Sequence, residues 1–332
     1  MYNKLGVGVI GVGTFGSLHA NVYAESREAE LIAVADVNPA RAREIGERHQ
    51  VTYYPDYNEL LARPDIEAVS ICTTDEQHVA PCVAAAKAGK HILVEKPLAT
   101  TVSDCDTVLR ATKEAGVRLM VGHILRFDPR YHTARQTVAE GQLGGVVYLY
   151  GRRDNLITSA ERLERNTSVL FFLGIHDLDF INWCAGSRAE RVYAESVQKK
   201  LTHAPDLTSA LIRFANGAVA SLETTWILPE TYVGRLDAEF KIIGTKGAVY
   251  VDGSGWSVGI YTEEKGWCPN VHYTPTVNGR TVGILRDEID HFVDCVRRDQ
   301  SPMVTGEDGK AAVELACAIV ESAQKGAPVY LS

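Results

Sequence analysis

A glycine-rich turn between the first apolar segment and the first helical pattern constrains the fold most strongly. Residues 5–10 (LGVGVI) resemble a buried strand, and a helical pattern runs from Phe15 to about Glu25. In G-x-G-x-x-G turns the first glycine permits the bend and the second lets a pyrophosphate approach the backbone. The third lets helix and strand pack closely. The motif predicts a dinucleotide-binding strand–turn–helix unit made by Gly11, Val12, Gly13, Thr14, Phe15 and Gly16.

Strand-like and helix-like segments then alternate through the first 125 residues. Short apolar runs rich in Val and Ile are typical of parallel strands that are buried on both faces. Two helical patterns end at a glycine, Gly89 and Gly116, which supplies a left-handed C-cap. The alternation predicts an α/β fold with a doubly wound parallel sheet. Its strand candidates are Leu5–Ile10, Leu31–Asp36, Ala68–Thr73, Ile92–Glu95 and Leu119–Gly122.

An acidic residue stands where a ribose-binding side chain belongs. Asp36 ends the second apolar strand, about 20 residues after the glycine turn. Its carboxylate can accept hydrogen bonds from both ribose hydroxyls, and it would repel a 2′-phosphate. No arginine follows directly, since Val37 and Asn38 come next. These features favour NAD over NADP; the alternative is a helix N-cap or turn residue before Pro39.

The pattern changes after about residue 145. Longer strand-like segments follow, and Asn216-Gly217 and the segment 244–247 (GTKG) mark tight connections between them. One helical pattern, Val169–Cys184, interrupts the strands, and two more follow them, Leu285–Arg298 and Glu307–Lys325. The order predicts an α+β domain with a large, open, mostly antiparallel sheet. We therefore expect a first domain over 1–125 and a second over 126–332, with the last helices as candidates to pack back on the first.

Composition and charge argue against several classes of protein. The 42 acidic and 34 basic residues give a net charge of -8, which argues against nucleic acid and anionic membranes as partners. The longest later apolar run, Val169–Ile175, is too short for a membrane helix. The seven cysteines are odd in number and form no C-x-x-C pair, so a reducing, cytoplasmic location without disulfides or a zinc ribbon is expected. No metal-ligand spacing is seen at His19, His132, His203 or His291, and no metal site is predicted.

A second informative segment runs from His91 to Pro97 (HILVEKP). An apolar strand carries Glu95 and Lys96 to the carboxyl edge of the sheet, where ligands of doubly wound folds bind. Pro97 removes a hydrogen-bond donor and ends the strand, which allows the ammonium of Lys96 to point toward a ligand. The alternative is a solvated lysine at a strand end.

Five segments together resemble the Gfo/Idh/MocA oxidoreductases: GVGTFG, AVAD, ICTTDEQHVAPCVAAAKAGKHILVEKPLATT, VGHILRFDPRY and GIHDLD. The resemblance covers nearly the whole chain and is most specific from Ile71 to Thr101. It implies a Rossmann domain followed by an open-faced sheet domain. It also implies NAD-dependent hydride exchange with a secondary alcohol of a sugar or cyclitol, and a homodimer or homotetramer paired through the open sheet.

The resemblance also implies roles for individual residues. Lys96 would be the catalytic lysine, often followed by a cis Lys-Pro bond in this family. Oxidation of an alcohol needs a base within hydrogen-bond reach of its oxygen, and an amine can serve as that base. Asp75 replaces the usual Asn in the loop beside the nicotinamide. The remaining cofactor contacts would be Thr73, Thr74, His78 and Glu95.

A histidine near the middle of the chain is the second catalytic candidate. In many relatives an Asp lies four residues before the histidine of Gly-Ile-His, but this chain has Phe172 there. His176 is our candidate for the acid/base partner, since imidazole titrates near working pH. The alternative is a core histidine. Asp177 could orient substrate or serve structure.

Other substrate contacts are weaker candidates. Arg126 could hold a substrate group or form a salt bridge with Asp128 or a neighbouring acid. Arg153, Asn155 and Tyr232 lie near strand ends and could line the site or lie on the surface. Two other functions remain open. One is an enzyme that oxidises a sugar transiently and retains NAD; the other is a non-catalytic NAD or sugar sensor, which Phe172 favours and Lys96 opposes.

Overall fold

The computed structural model describes residues 4–234, 236–254 and 257–331, which form two compact units. The first unit comprises the chain up to Ile124 together with Tyr273–Lys310. The second comprises Leu125–His272 and the chain from Ala311 onward. No helix in the described ranges combines the length and apolarity needed to cross a bilayer.

The first unit is built on six parallel strands in the order β3-β2-β1-β4-β5-β6. The chain moves outward from β1 to one edge and then from β4 to the other, which confirms the predicted doubly wound sheet. The strands are buried because helices lie against both faces. Their bounds are β1 (Leu5–Ile10), α1 (Thr14–Ala24), β2 (Ala29–Ala35), α2 (Pro39–His49), β3 (Thr52–Tyr54), α3 (Tyr57–Leu61), β4 (Ala68–Ile71), α4 (Val79–Lys87), β5 (His91–Glu95), α5 (Val102–Ala115) and β6 (Leu119–Gly122).

The remaining elements belong to the second unit, except for those in Tyr273–Lys310, which belong to the first unit. A 3-10 turn, Ile124–Phe127, leads out of β6, and a π-helical turn, Leu170–Gly174, precedes the eighth helix. The bounds are α6 (Pro129–Ala139), β7 (Val146–Leu156), α7 (Ile157–Leu163), α8 (Ile175–Ala185), β8 (Ala189–Val197), β9 (Leu207–Phe214), β10 (Val219–Leu228), β11 (Leu236–Gly244), β12 (Ala248–Asp252), β13 (Ile260–Tyr261), β14 (Gly266–Trp267), β15 (Thr276–Val277), β16 (Arg280–Thr281), α9 (Ile284–Arg297), α10 (Gly306–Lys325) and β17 (Val329–Tyr330).

The second unit contains a seven-stranded sheet in the order β12-β11-β7-β10-β9-β8-β17. Its pairs are antiparallel except β7 with β10, which is parallel, so the predicted open, mostly antiparallel sheet is present as a mixed one. Gly217 joins β9 to β10 with a positive φ of 89°, as the Asn-Gly signal predicts. The other predicted tight connection closes with a hydrogen bond from Gly244 N–H to Gly247 C=O.

One face of this sheet packs against α8. The residues of β7 alternate, and Leu149, Gly151 and Arg153 are buried on the α8 side. A Cβ at Gly151 would lie 3.1 Å from the Cβ of Asp177, so a glycine there allows α8 to approach closely. The opposite face carries exposed apolar side chains.

Helix α9 belongs to the first unit and packs against α1. The Arg286 guanidinium binds the carboxylate of Glu25, just after α1. Arg118 donates to the backbone and side-chain oxygens of Asp299, just beyond α9. These contacts fix the returning segment to the first sheet's layer of helices.

Candidate active site

The glycine turn leaves an open position between two crowded ones. Gly11 has a φ of 83°, and a Cβ there would lie 2.8 Å from the carbonyl of Cys72. A Cβ at Gly16 would lie 1.8 Å from the oxygen of Gly11. At Gly13 the nearest atom would be Nη1 of Arg41, 3.9 Å away. The middle glycine thus faces free space, as a pyrophosphate-binding position requires.

The amino end of α1 offers unoccupied donors at the same place. No side chain caps α1 within the described residues, and Thr14 and Phe15 in its first turn are exposed. Backbone N–H groups at such an end, together with the helix dipole, attract a phosphate. The turn therefore fits the pyrophosphate of a dinucleotide.

Asp36 lies at the carboxyl end of β2, beside the glycine turn. Its Oδ2 accepts the N–H of Val12 at 2.9 Å, and its Oδ1 accepts the N–H of Asn38 at 2.8 Å. Nη1 of Arg41 lies 3.7 Å from Oδ2. The cap of α2 is Asn38, not Asp36, because the Asn38 side chain accepts from the first turn of that helix. The buried carboxylate is thus fixed in orientation at the edge of the sheet where the ribose would bind.

The loop after β4 is tied to the segment after β5 by one histidine. Buried His78 places Nδ1 2.6 Å from the oxygen of Pro97 and Nε2 3.2 Å from the oxygen of Thr73. Burial lowers the pKa of His78, although both carbonyls oppose this. Thr73 Oγ1 donates to Gln77, and Thr74 is exposed. His78 therefore holds the loop in place, while the threonines form its rim.

Lys96 follows β5 directly and is 9% exposed. The bond to Pro97 is cis, in agreement with the family resemblance. Glu95 accepts from Lys96 N–H at 3.3 Å and binds His19 Nε2 at 3.1 Å. Burial raises the pKa of Glu95, but the His19 hydrogen bond and the nearby Lys96 charge outweigh it, so the net pKa is lowered. A largely buried lysine thus follows a stable carboxylate at the carboxyl edge of the sheet.

Sequence reasoning missed the network behind Glu95. His19 showed no metal spacing and so carried no prediction, yet it links Glu95 to buried polar groups on α1 and β4. The spacing of His19 and Tyr23, four residues apart on one helix, is the only sequence signal that they share a face.

The second unit places His176 in the first turn of α8, half-buried, immediately after the π-helical turn. Such π turns often mark functional sites. Asp177 beside it is buried, and Arg153 donates to both of its oxygens at 2.7 and 3.1 Å. Arg153 also donates to the hydroxyl of Tyr131 at 3.0 Å. Burial raises the pKa of Asp177, and Arg153 only partly offsets the increase.

A second buried ion pair anchors the same helix. Arg126 donates to both oxygens of Asp179 at 2.9 and 2.6 Å, and its guanidinium lies 4.7 Å from the ring centre of Trp183. The predicted alternative partner, Asp128, instead binds Arg130. Arg126 and Arg153, considered as substrate contacts, therefore both orient α8.

The remaining candidates in this unit have local contacts. Phe172 packs against an apolar cluster, with its ring centre 6.2 Å from that of Trp226. Asn155 accepts the N–H of Leu156 at 2.7 Å, and Tyr232 lies half-buried in the loop after β10. The aromatic side chain at position 172 thus contributes to packing, where many relatives are expected to have a carboxylate.

Two family models match the chain. The model of the oxidoreductase family with an NAD-binding Rossmann fold matches residues 5–123, and the model of its C-terminal alpha/beta domain matches residues 135–331. The chain belongs to the Gfo/Idh/MocA oxidoreductase family. It is an NAD-dependent oxidoreductase, and the glycine turn and Asp36 described above fit that cofactor.

Curated relatives align over almost the whole chain. The myo-inositol 2-dehydrogenase of Thermotoga maritima is 29% identical, with 98% of each chain covered. The scyllo-inositol 2-dehydrogenase (NAD(+)) of Bacillus subtilis is 28% identical, covering 100% of this chain and 97% of the relative.

Solved structures share the fold. A probable dehydrogenase from Thermotoga maritima has a TM-score of 0.83 at 26% identity, with 98% of each chain covered. The scyllo-inositol dehydrogenase of Lactobacillus casei, solved with NAD(H) and scyllo-inositol, has a TM-score of 0.86 at 23% identity, with 99% of each chain covered.

Proposed function

We propose that this protein oxidises a secondary hydroxyl of a cyclitol or a related sugar, with NAD as the hydride acceptor. The observation that carries the proposal is Lys96, a largely buried lysine whose backbone N–H donates to Glu95 at the carboxyl edge of the Rossmann sheet. The full-length relatives named inositol 2-dehydrogenases support the cyclitol class.

The proposed proton chemistry uses two side chains. Lys96, as the free amine, takes the O–H proton as the carbonyl forms; in reverse, its ammonium polarises the carbonyl and returns the proton. His176 orients the hydroxyl or exchanges the proton. NAD, when bound, accepts the hydride. Phe172 supplies no carboxylate, so His176 acts without an acidic partner at that position.

A second candidate function keeps the cofactor bound and gives no net oxidation. One relative, 27% identical over 75% of this chain, is named 2,7-anhydro-N-acetylneuraminate hydratase, from Mediterraneibacter gnavus. Addition of water changes no overall oxidation state. The same Lys96 could then support a transient oxidation.

One assay separates these functions. Purified protein is mixed with NAD and a panel of cyclitols, aldoses and nucleotide sugars, and NADH is followed by its absorbance. We expect NADH with myo- or scyllo-inositol or a close analogue. If NAD binds but no compound in the panel gives NADH, and NMR shows no change in any sugar, both enzymatic proposals are contradicted. Sugar conversion without NADH would favour the second.

We also propose that the protein is a homo-oligomer paired through the open face of the seven-stranded sheet. Tyr193, Leu211 and Tyr250 lie exposed on strands of that sheet. Tyr193 and Leu211 are direct cross-strand neighbours, and Tyr250 lies on the opposite edge strand of the same sheet. Apolar patches of this kind mark association surfaces.

A further inference from the structure

A chain of buried hydrogen bonds runs beneath Glu95 in the first unit. The Tyr23 hydroxyl lies 2.8 Å from Oγ of Ser70, which lies 3.1 Å from Nδ1 of His19. Nε2 of His19 lies 3.1 Å from Oε1 of Glu95. Tyr23, Ser70 and His19 are completely buried. The chain therefore ends at the carboxylate next to Lys96.

The proton positions in this chain follow from hydrogen-bond satisfaction. Among the described residues, Ser70 is the only hydrogen-bond partner of the Tyr23 hydroxyl, so the phenol donates to Ser70. Ser70 can then donate to Nδ1 of His19, with the imidazole proton on Nε2 facing Glu95. In this arrangement Nε2 of His19 donates to the Glu95 carboxylate.

A second carboxyl lies close to this chain. Glu288, on α9, is completely buried, and neither of its carboxyl oxygens has a hydrogen-bond partner among the described residues. Its helix packs against α1, which carries Tyr23 and His19. A buried carboxylate without a partner is strongly unfavourable. The neutral acid is the form that this position tolerates.

The surrounding charges also favour the neutral form of Glu288. Burial and the negative charge of Glu95 raise the pKa of Glu288 well above its ordinary value. Glu288 in turn contributes to the raised pKa values of Tyr23 and Cys72, after burial as the main cause. Two carboxylates beside one ammonium would leave an uncompensated negative charge. The titratable groups on the elements around Glu288 are Tyr23, His19, Cys72, Glu95 and Lys96, with Arg286, Asp287, Asp290, His291, Asp294, Cys295 and Arg297 on α9 itself.

We propose that Glu288 is a positioning residue that acts through Glu95: it holds a proton while NADH is bound and releases it to solvent more readily when NAD+ is bound. The inference rests on the proposed function, which places the nicotinamide beside Lys96. The positive ring of NAD+ favours a second negative charge nearby, and the neutral ring of NADH does not. No bond other than the carboxyl O–H is broken.

Thermodynamic linkage makes the coupling measurable without any substrate. If Glu288 ionises at a lower pH in the NAD+ complex, NAD+ gains affinity relative to NADH as pH rises. The gain is about tenfold for each pH unit that separates the two ionisations. Other groups near the cofactor can contribute to the same dependence, so the comparison must be made against a variant that lacks only the Glu288 charge.

The first experiment detects the proton itself. The infrared spectrum of the NADH complex at neutral pH is compared between the wild type and Glu288→Gln. We expect the wild type to show a carbonyl band of a protonated carboxylic acid in a dry site that the variant lacks, in addition to any band that Asp154 contributes to both spectra. Absence of that band from the wild type would overturn the proposal. Asp287→Asn, one residue away and exposed, should retain the band.

The second experiment measures coupling. Dissociation constants for NAD+ and NADH are measured from about pH 6 to about pH 10. We expect the affinity ratio to rise several-fold more in the wild type and Asp287→Asn than in Glu288→Gln. Equal slopes would overturn the coupling. Should Glu288→Gln not fold, the wild type alone must release protons on replacing NADH by NAD+ at alkaline pH, and no release would overturn the proposal. Neither the infrared spectrum nor the dissociation constants depend on whether any compound in the substrate panel gives NADH.

Discussion

At the scale of single residues, the position of Asp36 is fixed by two backbone N–H groups, so its charge can be changed without moving the strand. The two hydrogen bonds come from Val12 and Asn38. Arg41, which the sequence pattern did not single out, lies 3.7 Å from the carboxylate and half-exposed. A guanidinium is thus already present where a 2′-phosphate would bind, and the Asp36 charge opposes its use.

We therefore predict that Asp36→Ser shifts cofactor preference toward NADP. Removal of the repelling charge leaves Arg41 to bind the 2′-phosphate, and the ratio of NADP to NAD affinity should rise by about tenfold or more. Titration of both cofactors measures the ratio. Adding Arg41→Ala should cancel the gain, and an unchanged ratio in Asp36→Ser would remove Asp36 from its assigned role.

Asp154 gives a second prediction at this scale. Burial, with help from Glu223 and Asp237, raises its pKa to about 7, although the N–H of Thr225 donates to it at 3.0 Å. An unfolded aspartate ionises at about pH 3.9, so the folded protein holds this proton more tightly than the unfolded chain does. The free energy of unfolding therefore falls progressively as pH rises from about 4 through 7. Asp154→Asn keeps the acceptor and should raise the melting temperature at about pH 8 but not at about pH 4.

Thermal melts across that pH range test the point. Asp252→Asn removes the same charge from an exposed position of the same sheet and should leave the pH dependence unchanged. A wild-type-like pH profile in Asp154→Asn would show that this carboxylate carries no ionisation cost.

At the scale of secondary-structure elements, the glycine turn should separate folding from cofactor binding. Gly13→Ala meets no atom closer than 3.9 Å, whereas the Cβ of Gly16→Ala would lie 1.8 Å from the oxygen of Gly11. We predict that Gly13→Ala melts at the wild-type temperature but loses about tenfold or more in NAD affinity. Gly16→Ala should lower the melting temperature. Full NAD affinity in Gly13→Ala would contradict the pyrophosphate assignment.

Most strands and helices of the first unit could be predicted from the sequence. β1 and β6 agree with the prediction in both bounds, because a basic residue precedes each apolar run and a glycine stands at its end. The short β3 and α3 were not predicted, since 3 and 5 residues are too few to show a period. Helix α6 was also missed; its buried face is limited to a few residues such as Tyr131 and Ala134.

The contacts within the candidate site could be predicted less completely than the fold. Motif spacing led to Gly13, Asp36 and Lys96, because each of them follows the end of a strand that the local sequence predicts. It did not reveal that Arg153 pairs with Asp177, because that contact joins a strand and a helix 24 residues apart and needs the tertiary structure. Motif spacing also did not single out Glu288, since the sequence does not show against what a helix face packs.

At the scale of the whole molecule, we predict that Leu211→Glu weakens self-association. Leu211 is 52% exposed on the sheet face that we propose to pair, so a carboxylate there would be desolvated in the oligomer. Val277→Glu, at 51% exposure in the other unit, is the matched control. Sedimentation velocity should show a smaller species for the first variant only. Identical species for both variants and the wild type would contradict pairing through this face.

The central claim is that Lys96 handles the proton while the glycine turn and Asp36 hold the cofactor. The most direct test measures NADH formation and NAD affinity together in Lys96→Ala, with exposed Lys87→Ala as the control. We predict NAD affinity within about twofold of wild type and turnover reduced by about a hundredfold to ten-thousandfold. The control should match the wild type in both. Full turnover in Lys96→Ala would contradict the account.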